Sequence, residues 1–264
     1  MEITTLASLH VTCHPLLATL GDRQLQAVRA HGRLVTFRER RSISKPGSEP
    51  KCGLLLQGTL RTYRRGPSGA ELTVSHLQAP AVFGASDALC GPDLAGGIGT
   101  VTASTVVLLP LGLFAQLVKT QPAFAQGVLQ ELAEGAAAAA EQQAALAFES
   151  VDTRLVGLLM TYVRVCGTPE RDGVRLDLHL SQESLARDLG VSRKSLTRSL
   201  KKLKAEELLL KRAGHYVIRN VAALAAHTPV PSTPPATWSS SDRPAPLRPV
   251  AMVVPEPAVY AQAS

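Results

Sequence analysis

The sequence predicts an α+β chain: an N-terminal antiparallel, jelly-roll-like β-roll, then one long helix, then a C-terminal winged helix-turn-helix. Three observations carry that prediction. Short apolar or alternating runs broken by turn residues fill residues 33–110, a four-three spacing of apolar positions runs from Ala125 to Leu146, and two capped amphipathic segments, the second strongly basic, occupy 181–205.

The 264 residues suit two ordinary domains better than one. Lys and Arg number 28 against 21 Asp and Glu, a formal net charge of +7, which favours an anionic partner and leaves nucleic acid, an anionic membrane surface and plain solubility open. No apolar run approaches the roughly 18 residues a membrane span needs, so no membrane-spanning helix is expected and no membrane is taken as a partner. The opening "MEITTLASLH" lacks the cationic start and apolar centre of a secretion signal, and a cytoplasmic protein is expected. Cys13, Cys52, Cys90 and Cys166 are scattered without a CxxC pair, which predicts reduced, buried thiols and no metal site.

The roll is assigned to residues 15–120. "LVTF" (34–37), "CGLLLQ" (52–57), "TLRTYR" (59–64), "ELTVSHL" (71–77) and "GTVTASTVVLL" (99–109) are read as strands, the last as one uninterrupted strand. The basic set of this region, Arg33, Arg38, Arg40, Arg41, Lys45, Lys51, Arg61, Arg64 and Arg65, is read as a solvated strand face. Gln121-Pro122 starts a long helix assigned to 121–149, in which Ala125, Leu129, Leu132, Ala136, Ala139, Gln143 and Leu146 form a coiled-coil seam. That seam predicts a homodimer.

Residues 150–226 form the next domain. "VDTRLVGLLMTYVRVC" (151–166) is a helix with Leu155, Leu158, Leu159, Tyr162 and Val163 on one face; "GTPERDG" (167–173) turns the chain, and "VRLDLHLS" is a strand ending at Ser181. From 227 to 264 the density of proline and small polar residues predicts a disordered tail.

Within "LSQESLARDLGVSRKSLTRSLKKL" (180–203), Ser181 caps a first helix with Leu185, Ala186 and Leu189 inward, Gly190 turns the chain, and Ser192 caps a second with Leu196, Leu200 and Leu203 inward. "ELLLKRAGHYVIRN" then reads as strand, basic turn, strand: a wing. Between 181 and 212 nine Lys or Arg stand against four acids. A cationic helix propped by a capped neighbour suits the major groove of double-stranded DNA. The expected contact residues are Ser181, Gln182, Ser192, Arg193, Lys194, Ser195, Thr197, Arg198, Lys201 and Lys202, with Lys211 and Arg212 of the wing reaching flanking phosphates. No nucleophile motif, zinc-binding HExxH or phosphate loop is present, so no enzyme is predicted.

A roll, a dimer helix and a winged helix-turn-helix in that order resemble a Crp/Fnr-family transcription regulator over roughly residues 15–225, most specifically at "SRKSLTRSLKKL" (192–203). The resemblance implies a dimeric regulator with Arg193 and Arg198 at base-reading or phosphate positions, and RNA polymerase as a further candidate partner. Lys194 stands where the family commonly has Glu, so the usual operator is not implied, and Glu207 replaces a frequent Gly. Family members that bind cyclic nucleotides continue Phe-Gly with Gly-Glu and, later, an Arg for the cyclic phosphate; here Gly84-Ala85 follows Phe83, and no Lys or Arg occurs between Arg65 and Lys119. Cyclic AMP is therefore disfavoured and no cofactor is expected. Haem on His76 with Cys52 or Cys90, and redox sensing through Cys90, are weaker still. A constitutive DNA binder with a ligand-free roll, or a cyclic-AMP responder with a non-standard phosphate site, are the alternatives.

Overall fold

The computed structural model describes residues 2–4, 14–66, 69, 71–91, 96–178 and 180–227. Cys13 and the expected tail beyond His227 lie outside the described residues. The order is β1 (Glu2–Thr4), α1 (Pro15–Ala18), α2 (Asp22–His31), β2 (Arg33–Phe37), β3 (Ser42–Ser44), β4 (Cys52–Gln57), β5 (Thr59–Arg65), β6 (Glu71–Gln78), β7 (Ala81–Phe83) and α3 (Ala85–Cys90). Then come β8 (Gly97–Thr100), β9 (Ser104–Leu109), α4 (Leu111–Thr120), α5 (Pro122–Phe148) and α6 (Val151–Cys166). The chain continues with β10 (Gly167–Glu170), β11 (Gly173–Leu176), α7 (Gln182–Leu189), α8 (Arg193–Ala205), β12 (Leu209–Arg212), β13 (His215–Ile218) and α9 (Val221–Ala225).

The roll is two antiparallel sheets, ordered β1-β2-β9-β4-β7 and β3-β8-β5-β6. Val35, Phe37, Leu55, Leu60, Phe83, Ile98 and Val106 fill the space between them. On the outer side of the first sheet, Cys52, Leu54, Val107 and Leu109 pack under Leu16, Leu17, Phe114, Leu117, Phe124 and Val128 from the helices. β4 and β9 are thus covered on both faces, which is why "CGLLLQ" and "STVVLL" are continuous apolar runs instead of alternating ones.

Two strand assignments need correction. Residues 99–109 are two strands in different sheets: β8 pairs with β3 and β5, whereas β9 pairs with β2 and β4. The chain turns between them at 101–103, held where the Val101 N–H donates to Thr59 O and the Thr59 N–H donates to Thr102 Oγ1. Residues 167–173 are more than a turn. Gly167–Glu170 is a strand paired with Gly173–Leu176, and beyond Leu176 the residues Leu178 and Leu180 insert into the core, so the expected strand to Ser181 ends early.

α5 starts at Pro122, where a missing N–H is harmless. Phe124 and Val128 bury one side of its first turns, and the expected seam faces away: Leu129, Leu132, Ala136, Gln143 and Leu146 are exposed, Ala125 and Ala139 half-buried. α6 through α9 surround a further core in which Leu155, Leu159, Tyr162, Leu176, Tyr216 and Ile218 are enclosed. Among the described residues no helix is long and apolar enough to cross a membrane.

Candidate DNA-binding surface

Two serines and a glycine build the motif. Ser181 Oγ accepts from the Ser184 N–H at 3.0 Å to start α7, and Ser192 Oγ accepts from the Ser195 N–H at 3.1 Å to start α8, each satisfying a donor that a helix start leaves unpaired. Gly190 ends α7 with φ of 65°, a left-handed turn that a residue with a Cβ adopts only under strain. Leu185, Ala186 and Leu189 then meet Leu196, Leu200 and Leu203 in the shared core.

That buried stripe decides which side of α8 faces solvent. Arg193, Lys194, Thr197, Arg198 and Lys201 border one shallow recess on the outer face, and the four cations among them are exposed. The Thr197 hydroxyl lies 3.4 Å from Gln182 Oε1, which brings the start of α7 to the edge of the same surface.

The remaining expected contacts have partners within the chain. The Lys202 ammonium bonds the Asp152 carboxylate at the start of α6, and that hydrogen bond, with a second from Ser199, holds Asp152 below its ordinary range. In the wing, Lys211 Nζ stands 5.3 Å from the centre of the Tyr216 ring and Arg212 pairs with Asp172 at 3.1 Å. Ala213 and Gly214, both at positive φ, make the two-residue turn between β12 and β13. Glu207, where the family often has Gly, has φ of 56°, so the glycine preference there is conformational. Its carboxylate accepts from Arg219 at 2.7 Å.

The basic region of the roll is not simply solvated. Arg61 lies over the Tyr63 ring at 4.4 Å and donates to Glu71 at 2.8 Å. Glu71 also accepts from Arg65 and from Arg187 of α7, each at 3.3 Å. Burial alone would raise the Glu71 pKa, but bonds from Arg61 and Arg65 and the nearby positive charge hold it below its ordinary value. A bulge in β6 leaves one extra residue between Thr73 and Ser75, a device that re-aims side chains. Thr73 Oγ1 accepts from Arg61 at 3.1 Å and donates to Asp188 Oδ1 at 2.6 Å, while the Tyr162 hydroxyl donates to Asp188 Oδ2 at 2.6 Å. Arg40 Nη2 donates to Ser184 Oγ at 2.7 Å. The first helix of the reading motif is therefore bonded side-on to the roll. The sequence carried no signal for this, since Arg187 and Asp188 meet partners more than a hundred residues away.

Where the resemblance would place a cyclic nucleotide, the recess beside Gly84 is bordered by Arg64, Ser86, Asp87, Gly96 and Gly97. A cation does reach it, from β5, outside the 66–118 interval where the sequence has none. Asp87 beside it is buried, and that burial raises its pKa against the opposing charge of Arg64. His76 packs edge-on to Tyr162 at 6.0 Å, and its buried Nε2 has no hydrogen-bond partner among the described residues. Burial pushes the Cys52 and Cys166 thiols up to about 12, far from a reactive thiolate; Cys90 is exposed. Among the described residues no three His, Cys, Asp or Glu are grouped to hold a metal.

Comparison with known proteins agrees with this geometry. Residues 153–227 match the Crp-like helix-turn-helix domain. The global nitrogen regulator of Synechocystis sp. is 29% identical over 192 residues, covering 72% of this chain and 85% of the relative. Its namesake from Synechococcus elongatus is 28% identical, covering 71% and 86%. Among solved structures, the c-di-GMP responsive global regulator CLP of Xanthomonas campestris superimposes with a TM-score of 0.64 at 20% identity, covering 76% of this chain and 100% of that one. A CRP/FNR-family regulator from Thermus thermophilus does so with a TM-score of 0.62 at 21% identity, covering 74% and 97%. Residues 153–227 thus form a Crp-like helix-turn-helix domain, and the chain as a whole is similar in sequence to global nitrogen regulators and in fold to regulators of the CRP/FNR kind.

Proposed function

We propose that the chain acts in the cytoplasm as a homodimer joined along α5, placing two α8 helices in successive major grooves of a pseudo-palindromic site about one helical turn apart. The outward row Arg193, Lys194, Arg198 and Lys201 carries this reading. Arg193 and Arg198 suit guanine O6 and N7, Lys201 a phosphate, and Lys194, which has donors only, cannot accept from cytosine as a Glu would. Support for the dimer comes from apolar side chains left uncovered on α5: Leu129 is 64% exposed and Leu146 41%. Selecting bound duplexes from a random pool tests both parts. A two-fold related pair of half-sites about 10 base pairs apart is the expected outcome; a lone half-site bound by a single chain would remove the dimer.

The roll is proposed not to hold cyclic AMP. A buried Asp87 beside Arg64 offsets the charge that a cyclic phosphate needs. Calorimetric titration with cyclic AMP is expected to show no binding, and saturable binding would reverse this reading. A constitutive regulator is the second reading, favoured by the small recess, about 180 Å³.

A further inference from the structure

A second space, of about 290 Å³, opens between the roll and α7. Its roll side carries Arg41, Lys45, Arg61 and Arg65, and its α7 side carries Arg187. Arg40 completes the rim, holding a φ of 57° that non-glycine residues rarely adopt. Leaving Arg40 aside, two carboxylates, Glu71 and Asp188, line the space with five cations.

Their bonding makes the imbalance sharper. Asp188 accepts from two hydroxyls, those of Thr73 and Tyr162. Glu71 is shared by the guanidinium groups of Arg61, Arg65 and Arg187, and only Arg187 has a further carboxylate, the exposed Glu183 at 3.8 Å, among the ion pairs of these three. Like charges gathered on the walls of a half-enclosed space repel each other more strongly than in open water. Arginine forks are also the groups best shaped to grip phosphate or carboxylate oxygens in pairs.

We infer that this cavity is a binding site for a compact polyanion, a small molecule carrying several phosphate or carboxylate groups, held jointly by the roll and by α7 of the DNA-reading domain. The volume, at the low end of small-molecule sites, suits a compact metabolite and not a dinucleotide. The site is separate from the recess at Gly84: Arg61, Arg65 and Arg187 belong to one and Arg64 and Asp87 to the other. It deepens the regulator reading by naming the class of effector, but its occupancy is independent of DNA and is measured without it.

The test is calorimetric titration of the full chain, free of DNA, with pyrophosphate in one arm and citrate in the other. One molecule bound per chain is expected in at least one arm, and which arm responds assigns phosphate or carboxylate chemistry. Combined R41A, K45A and R65A should weaken binding at least tenfold, while R193A with R198A should leave it within twofold. All three roll changes are at partly or fully exposed side chains, and a thermal unfolding midpoint close to wild type for that variant shows that the fold is kept. No binding in either arm, or binding that R193A with R198A abolishes and the roll changes leave intact, overturns the site and assigns the anion affinity to the DNA-reading face.

Discussion

The outer face of α8 and the side of the roll that faces α7 are made of the same residue types and differ in what surrounds them. On α8, Arg193, Lys194, Arg198 and Lys201 line a surface with no carboxylate among its bordering residues. On the roll, Arg61 and Arg65 close on Glu71 and share it with Arg187 of α7. A count of positive charge does not separate a surface offered to DNA from one that joins two parts of a molecule. The placement of a few acids does.

Arg198→Ala removes the cation at the centre of the outer face and is expected to have the largest effect, a loss of about 1–3 kcal/mol in specific DNA affinity, read by titrating a selected duplex. Loss of sequence preference at one position of each half-site would sharpen the assignment. An unchanged affinity would break it.

Gly190→Ala comes next. A Cβ there would come within 2.6 Å of Leu72 Cδ1 of the roll, at a φ that disfavours any side chain. About 1–2 kcal/mol of stability should be lost on unfolding in urea, with faster amide exchange in α7 than in α4. Equal exchange in both helices would contradict the close seating of the turn on β6.

Glu71→Gln removes the shared carboxylate and should weaken the roll to α7 contact by about 1 kcal/mol. pH should act through the same group. Its folded-state pKa is lowered, so its contribution is complete above the ordinary Glu value of 4.5 and is lost as pH falls below that through the folded value. The wild type should therefore lose stability on acidification more steeply than Glu71→Gln. Parallel pH profiles would show that the guanidinium cluster does not depend on this acid.

The smallest effect is expected for Lys202→Ala. Its ammonium pairs with Asp152 at a position 58% exposed on the lysine side, and such pairs contribute about 0–1 kcal/mol. Its effect on the salt dependence of DNA binding should be smaller than that of Lys201→Ala, whose side chain stands on the outer face.

Much of the reading motif was legible because its determinants are local. Ser181 and Ser192 cap three residues ahead of the N–H they bind, Gly190 sits in the turn, and six inward positions repeat at helical spacing. α5 was legible for the same reason. What the sequence concealed is long-range or conformational. The break at 101–103 depends on β8 and β9 joining different sheets, and α2 buries little besides Val28, leaving almost no apolar stripe to detect. The bonds from Arg61, Thr73 and Tyr162 to the acids that join roll and α7 link segments with no shared pattern. Lys202 belongs to the same class: it looks like its neighbour Lys201 until the fold brings Asp152 beside it.

The most direct test compares the two basic faces on one selected duplex, measuring affinity across a salt series for wild type, Lys201→Ala and Arg65→Ala. Lys201→Ala should weaken binding and lower the slope of log affinity against log salt by about one, whereas Arg65→Ala should leave both unchanged. An equal loss of slope in Arg65→Ala, or none in Lys201→Ala, would contradict the division between a face that reads DNA and a face that meets α7.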